Sequence, residues 1–249
     1  MAAFVLPFGQ LLYAASGHLG EVRSWQFLSA AWNSFLLALV AALVTVAIGV
    51  VLAYAGRALK SRLISSCNVA VRVGYAMPGT VLALGLMLPL AWLDNAIDGL
   101  MRQIFGISSG LLLSGTIAIL LLAYVIRYLA VAIGAIEAGL DRRSPNLDAA
   151  ARTLGESTAS ALRRVHLRLL GPSIGVAAIL VFVDTMKELP ATLLLRPFNF
   201  DTLATTVYAQ VALEQFERAA PGAIAIVLVG LAPMLLHRTM SRGPASSRH

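Results

Sequence analysis

The sequence predicts an all-α integral membrane protein with about six transmembrane helices, on three observations. Of its 249 residues, 59% are hydrophobic and 12% charged, outside the usual range for a soluble globular domain. The apolar residues are gathered into runs of roughly twenty, the length a helix needs to cross the hydrocarbon layer. Backbone amides in lipid must be satisfied within a helix or in a closed barrel, and these runs far exceed the roughly ten alternating residues of a barrel strand.

The first apolar segment, residues 4–16, is short for a span. It lacks a basic stretch before it and a small-residue cleavage site after it, so it does not read as a removable signal peptide. Residues 30–55, 69–93 and 111–136 each exceed twenty residues, residues 172–190 qualify despite internal charges, and residues 219–236 qualify narrowly. The second run is rich in small residues, Ala38, Ala41, Ala42, Thr45, Ala47 and Gly49, which let helix backbones approach closely in a bundle. Trp25, Trp32 and Trp92 fall near predicted span ends, where an amphipathic ring favours the headgroup layer.

Alternate loops carry very different numbers of basic residues. One side holds twelve: Arg57, Lys60 and Arg62, then Arg142, Arg143, Arg152, Arg163, Arg164 and Arg168, then Arg238, Arg242 and Arg248. The other holds five, Arg23, Arg102, Lys187, Arg196 and Arg218. Basic loops stay inside, so both termini are expected in the cytoplasm. The net charge of +7 does not signal nucleic-acid binding, because the basic residues lie between apolar runs without an aromatic-interleaved face. Cys67 is the single cysteine, which excludes an internal disulfide and a thiolate metal cluster.

The longest polar stretch, residues 137–170, is patterned as two short helices. Ser144-Pro145 is a helix start, Gly155 suits the left-handed position after a helix, and Ser157 can cap a second helix. In that second helix Leu162, Val165 and Leu169 form an apolar stripe, Arg164 and Arg168 share another face, Gly171 is expected to end it and Pro172 to open the next span. A basic amphipathic hairpin lying on anionic lipid is one reading of this pattern. A knob presented to a protein partner is the other, since Ala149, Ala150 and Ala151 leave a surface that a partner can approach closely.

The run Ala149-Ala150-Ala151-Arg152-Thr153-Leu154-Gly155, nine residues, then Val165-His166-Leu167-Arg168 resembles the EAA loop of binding-protein-dependent ABC importer permeases. That pattern is Glu-Ala-Ala, three residues, Gly, nine residues, then Ile-x-Leu-Pro. The sequence departs from it twice: Ala149 holds the Glu position, with Asp148 one place earlier, and Arg168 holds the final Pro position. The resemblance implies a type I, MetI-like permease fold over residues 30–236, preceded by a short helix and periplasmic loop, 1–29, and followed by a cytoplasmic tail, 237–249. Within it, residues 137–170 are the coupling loop, whose Asp148, Ala149, Ala150, Ala151, Gly155, Val165 and Leu167 contact a cytoplasmic ATPase dimer. ATP is then bound by that partner and the chain needs no cofactor of its own. A second permease half, homologous or identical, and a periplasmic substrate-binding protein complete the implied assembly in a bacterial inner membrane.

The 172–190 span contains Asp184, Lys187 and Glu188, whose spacing places them on one helical face if the helix continues through them. Charges at that depth normally face a bundle interior or a water-filled path. Two readings follow: a self-neutralising cluster that packs helices, or a translocation path or gate formed by Asp184, Lys187, Glu188 and Pro190. Arg72 and Arg127 also fall within spans, where snorkelling or an interhelical bond is expected of them.

The stretch Lys187-Glu188-Leu189-Pro190-Ala191-Thr192-Leu193-Leu194-Leu195-Arg196-Pro197-Phe198, followed by Phe200-Asp201-Thr202-Leu203-Ala204, is similar to one in ferric-iron importer permeases. These are commonly long chains with two homologous halves, and this sequence resembles the C-terminal one; a split subunit, a fragment and an upstream start are all open. A hard ferric ion prefers oxygen ligands, which Asp184, Glu188, Asp201, Glu214 and Glu217 offer, but in this family the binding protein holds the metal, so no metal site is expected in the chain. Related permeases move thiamine, polyamines, phosphonates or sulfate. An ion-coupled secondary transporter is the competing class; it typically has paired halves with broken helices near the midplane, a pairing the sequence does not display. An enzyme is not expected, because His18, His166, His237 and His249 are scattered and neither HExxH nor GxSxG occurs.

Overall fold

The computed structural model describes residues 2–59, 62–142, 153, 155 and 157–241, and all regular structure among them is helical. In chain order these are α1 (Ala2–Ser16), a 3-10 turn (Leu19–Arg23), α2 (Trp25–Leu59), α3 (Arg62–Ala76), α4 (Gly79–Phe105) and α5 (Ile117–Asp141). Then come α6 (Thr158–Ala161), a π-helical turn (Leu162–His166), α7 (Leu167–Met186), α8 (Pro190–Leu195), α9 (Leu203–Ala212) and α10 (Phe216–Ser241). Four stretches among the described residues are long and apolar enough to cross a bilayer: Trp25–Ala58, Gly79–Phe105, Ile117–Asp141 and Ala159–Met186. The segment at 4–16 lies in α1, whose 15 residues fall short of the roughly twenty a span needs. The segment at 219–236 lies inside the 26-residue α10.

The chain divides into two compact units, one of residues 37–200 and one of residues 1–36 with 201–249. In the first, α5 is the central helix: Leu120, Ala123, Tyr124, Tyr128, Ala132, Ile136 and Leu140 are all buried along it. It packs most extensively on α7 and then on α3. The α5–α7 approach is tight because Gly139 has no side chain: a Cβ there would collide with Ser173. With no hydrophobic effect to drive helices together in lipid, such close backbone approach supplies the packing. Ala38, Ala41, Ala42, Thr45 and Gly49 of α2 are buried as their small size suggested, while Ala47 is exposed. At the end of α2, Arg57 Nη1 donates to the Leu140 carbonyl at 2.6 Å, satisfying one of the acceptors left open in the last turn of α5.

The second unit is built on contacts of α10 with α1 and with α9. Thr202 caps α9 through a reciprocal capping box with Thr205. Ser34 Oγ accepts from Leu203 N at 2.7 Å, and Asn33 Nδ2 donates to the Asp201 carbonyl at 3.0 Å, so both fix the entry to α9 from α2. His18 Nε2 lies 3.8 Å from Glu217 Oε2, and Arg218 pairs with Glu21 at 3.4 Å, joining the turn after α1 to the start of α10.

Three of the boundaries that differ from those predicted have a local physical cause. The 69–93 span is not one helix: it breaks at Met77-Pro78, where Pro78 adopts φ −56° and ψ 140° before α4 begins. Proline disfavours helical geometry in the residue before it and donates no amide, which is the physical cause. The 111–136 span begins only at Ile117, because residues 106–116 form a loop with left-handed glycines at 106, 110 and 115. The helix expected to stop at Gly171 runs through Pro172 instead, packed against α5 around Leu170 and Ser173. Packing there outweighs the single backbone hydrogen bond a proline removes.

Candidate functional site

Two regions concentrate the residues singled out by sequence. The first is the loop between α5 and α6. Asp148, Ala149, Ala150 and Ala151 lie outside the described residues. Gly155 is exposed with φ +80°, the left-handed conformation expected of it. Ser157 Oγ accepts from Ser160 N at 3.3 Å, so Ser157 does cap the second helix. Leu162, Val165 and Leu169 are half-buried and Arg164 and Arg168 exposed, in keeping with the expected stripe; Leu167 is exposed. His166, a variable position of the loop pattern with no role expected of it, is buried in the π-helical turn with its ring 4.8 Å from that of Tyr54 on α2. The root of the loop is thereby anchored to the helical core.

The second region is the end of α7. Helix geometry stops at Met186, so Asp184, Lys187 and Glu188 do not continue along one helical face as the spacing suggested. Lys187 pairs with Asp184 at 2.8 Å and remains largely exposed. Glu188 turns away from both. Its side chain is 6% exposed, and Oε2 lies 3.4 Å from Arg127 Nε and 3.0 Å from the Tyr128 hydroxyl, both on α5. Oε1 accepts from Ala191 N at 3.0 Å, at the start of α8. The Glu188 carbonyl accepts from Thr192 Oγ1 at 2.7 Å, and Thr192 Oγ1 lies 2.6 Å from the buried Tyr124 hydroxyl. The three-residue self-neutralising cluster is therefore corrected to a pair, Asp184 with Lys187, and a separate interhelical pair, Glu188 with Arg127. Pro190 is the first residue of α8, where its missing N–H leaves nothing unsatisfied.

Arg127 has a second partner. Its Nη1 donates to the Met77 carbonyl at 2.9 Å. Gly79, opening α4, leaves room for this: a Cβ there would stand 2.7 Å from Glu188 Oε1 and 3.1 Å from Arg127 Nη1. The guanidinium thus sits where two helix breaks meet, one at Met77-Pro78 and one at Lys187-Leu189. Buried charge is tolerated when it is paired and its donors and acceptors are used, and the planar guanidinium serves two acceptors at once. Arg72 likewise makes an interhelical pair, with Glu137 at 3.7 Å. Local i, i+3 and i, i+4 reasoning grouped Glu188 with Asp184 and Lys187 on one face; the sequence signal that points elsewhere is the prolines at 78 and 190, whose breaks leave acceptors that an intramembrane arginine can satisfy.

A further pair was not signalled by sequence reasoning. Asp94 and Asp98, one turn apart on α4, clasp the 106–116 loop: Asp94 accepts from the amides of Leu112, Leu113 and Ser114, and Asp98 from Arg102, Ser108 and Gly110 N. Among the described residues no three His, Cys, Asp or Glu side chains form a group that could hold a metal ion.

The family model of the binding-protein-dependent transport system inner membrane component matches residues 45–244. The chain belongs to this family. An Fe(3+)-transport system permease protein of Haemophilus influenzae is 30% identical over 211 residues, 85% of this chain, and the chain spans 38% of that relative's length. A probable molybdenum ABC transporter permease protein of Haloferax volcanii is 29% identical over 247 residues, covering 97% of this chain and 86% of its own. The fold resembles that of a bacterial alginate ABC transporter crystallised with an alginate pentasaccharide-bound periplasmic protein, with a TM-score of 0.75 at 17% identity over 96% of this chain and 88% of that one. A second structure, of a bacterial ABC transporter involved in alginate import, gives 0.73 at 16% identity over 96% and 89%. The matched residues of this inner membrane component include both the 148–155 loop and the Arg127–Glu188 pair.

Proposed function

We propose that the chain is the membrane-spanning permease subunit of an ATP-driven importer, and that it carries no catalytic site of its own. The observation that carries this reading is the family match across residues 45–244, together with the loop whose Asp148, Ala149, Ala150, Ala151, Gly155, Val165 and Leu167 follow the spacing of an ATPase-docking loop. ATP is bound and hydrolysed by a separate cytoplasmic ATPase dimer docked there. A second permease half and a periplasmic binding protein complete the assembly in a bacterial inner membrane. Twelve basic residues on one side against five on the other support cytoplasmic placement of both termini. The translocation path or its gate lies at Asp184, Lys187, Glu188 and Pro190, with Lys187 the exposed charge, Asp184 its half-buried partner, and Glu188 and Pro190 shaping the helix break.

Ferric iron is the proposed cargo, supported by the Haemophilus relative and by the 187–204 stretch. Molybdenum is the second reading, favoured by the Haloferax relative, which this chain matches over 86% of its length. Reconstitution in proteoliposomes with the ATPase and the binding protein tests both. ATP-dependent uptake of iron is expected; uptake of molybdate alone would move the cargo to the second reading, and uptake of either without ATP would contradict the importer assignment.

A further inference from the structure

Two helices of the 37–200 unit are interrupted, and the interruptions meet on one side chain. The break between α3 and α4 leaves the Met77 carbonyl without a helical donor, since proline restricts its geometry and α4 restarts at Gly79. The break between α7 and α8 leaves the amides that open α8 in need of an acceptor, and the Glu188 carboxylate accepts from Ala191 N. Arg127, from the middle of the continuous helix α5, donates to the first break at 2.9 Å and pairs with the second at 3.4 Å. Tyr128, on the next position of α5, adds a hydroxyl 3.0 Å from the Glu188 carboxylate. Gly79 has space for none of this to be shared with a side chain.

We propose that Arg127 is a positioning residue that ties both helix breaks to α5, so that α4 and the α7–α8 corner move as one body during transport. The proposal rests on the permease reading above. The stretch Ala159–Met186 is one apolar helical run of 28 residues, about 40 Å at 1.5 Å per residue, leading from the loop root to Glu188. A displacement delivered at that loop reaches the α7–α8 break along this rod. Arg127 then passes it to the start of α4 through bonds to both breaks. Counter-charge for Glu188 alone would need only a cation; Arg127 reaches its two acceptors from two nitrogens of a rigid fork, Nε for Glu188 and Nη1 for Met77, whereas lysine presents its three N–H donors from a single nitrogen.

The two roles separate in paired spin labels placed at Leu88 on α4 and Val176 on α7, both exposed, in the assembled transporter on a Cys67→Ser background. In the wild type one narrow distance is expected, kept when ATP and vanadate trap the ATPase. In both Arg127→Met and Arg127→Lys that single distance is expected to be lost and replaced by a broad distribution, although lysine keeps the charge. A wild-type distance in Arg127→Lys would reduce Arg127 to a counter-ion and overturn the proposal, as would a wild-type distance in Arg127→Met. Failure of the wild-type preparation to trap nucleotide would instead strike the permease reading, while the nucleotide-free distances would still report on the latch.

Discussion

The Glu188 carboxylate draws on two helices at once, with α5 reaching Oε2 through Arg127 and Tyr128 while α8 reaches Oε1 through the Ala191 amide. Glu188→Gln preserves the acceptor for Ala191 but leaves the guanidinium facing a neutral group. Uptake is therefore expected to fall well before insertion and melting temperature do; equal loss of all three would point to a purely structural pair. Gly79→Ala places a methyl 2.7 Å from Oε1, and overpacking of this kind typically costs about 1–3 kcal/mol. A lowered melting temperature of the purified protein is expected, and an unchanged one would show that the carboxylate can give way. At this scale the sequence was only partly legible. It showed that Arg127 and Glu188 were charges in apolar surroundings and that each needed a partner, but their pairing spans 61 positions and no local periodicity encodes it.

Helix breaks and caps account for most of what the elements do that periodicity does not foresee. Hydrophobic runs cannot distinguish one 69–93 helix from two, because apolar residues continue on both sides of Pro78; the proline was the available cue. The run at 172–190 gave the opposite error, since Pro172 suggested a helix start and the packing of α7 on α5 carries the helix through it. The caps at Ser157 and the left-handed Gly155 were readable because they depend only on local chemistry. The 106–116 loop was not, because its fold is set by two carboxylates from a preceding helix. Asp94→Ala removes the acceptor for three loop amides, and faster hydrogen exchange at Leu112, Leu113 and Ser114 is expected, with helix α5 unaffected. Exchange unchanged from wild type would mean the left-handed glycines suffice to hold the loop.

Lipid as solvent was legible from composition alone, and a helical bundle followed from the length of the runs. The number of spans was harder to read, because length and hydropathy single out four helices among the described residues, while α1 is short and α10 stands outside that set. Function was legible through likeness rather than hydropathy: the run from Ala149 to Gly155 to Val165 resembles the EAA loop of importer permeases, and the family match over residues 45–244 agrees with the family that resemblance implies. The proposed cargo rests only on likeness to relatives, and among the described residues no three His, Cys, Asp or Glu side chains form a group that could hold a metal ion. The central claim is that this bundle works by docking an ATPase through the 148–155 loop. Affinity purification of the tagged chain from membranes, with ATP hydrolysis and uptake measured on the recovered complex, tests it most directly. The wild type is expected to retain a soluble ATPase, and Ala150→Trp to insert normally yet lose the ATPase or uncouple hydrolysis from uptake. A wild-type chain that recovers no ATPase, or an Ala150→Trp chain that stays fully coupled, would contradict the claim.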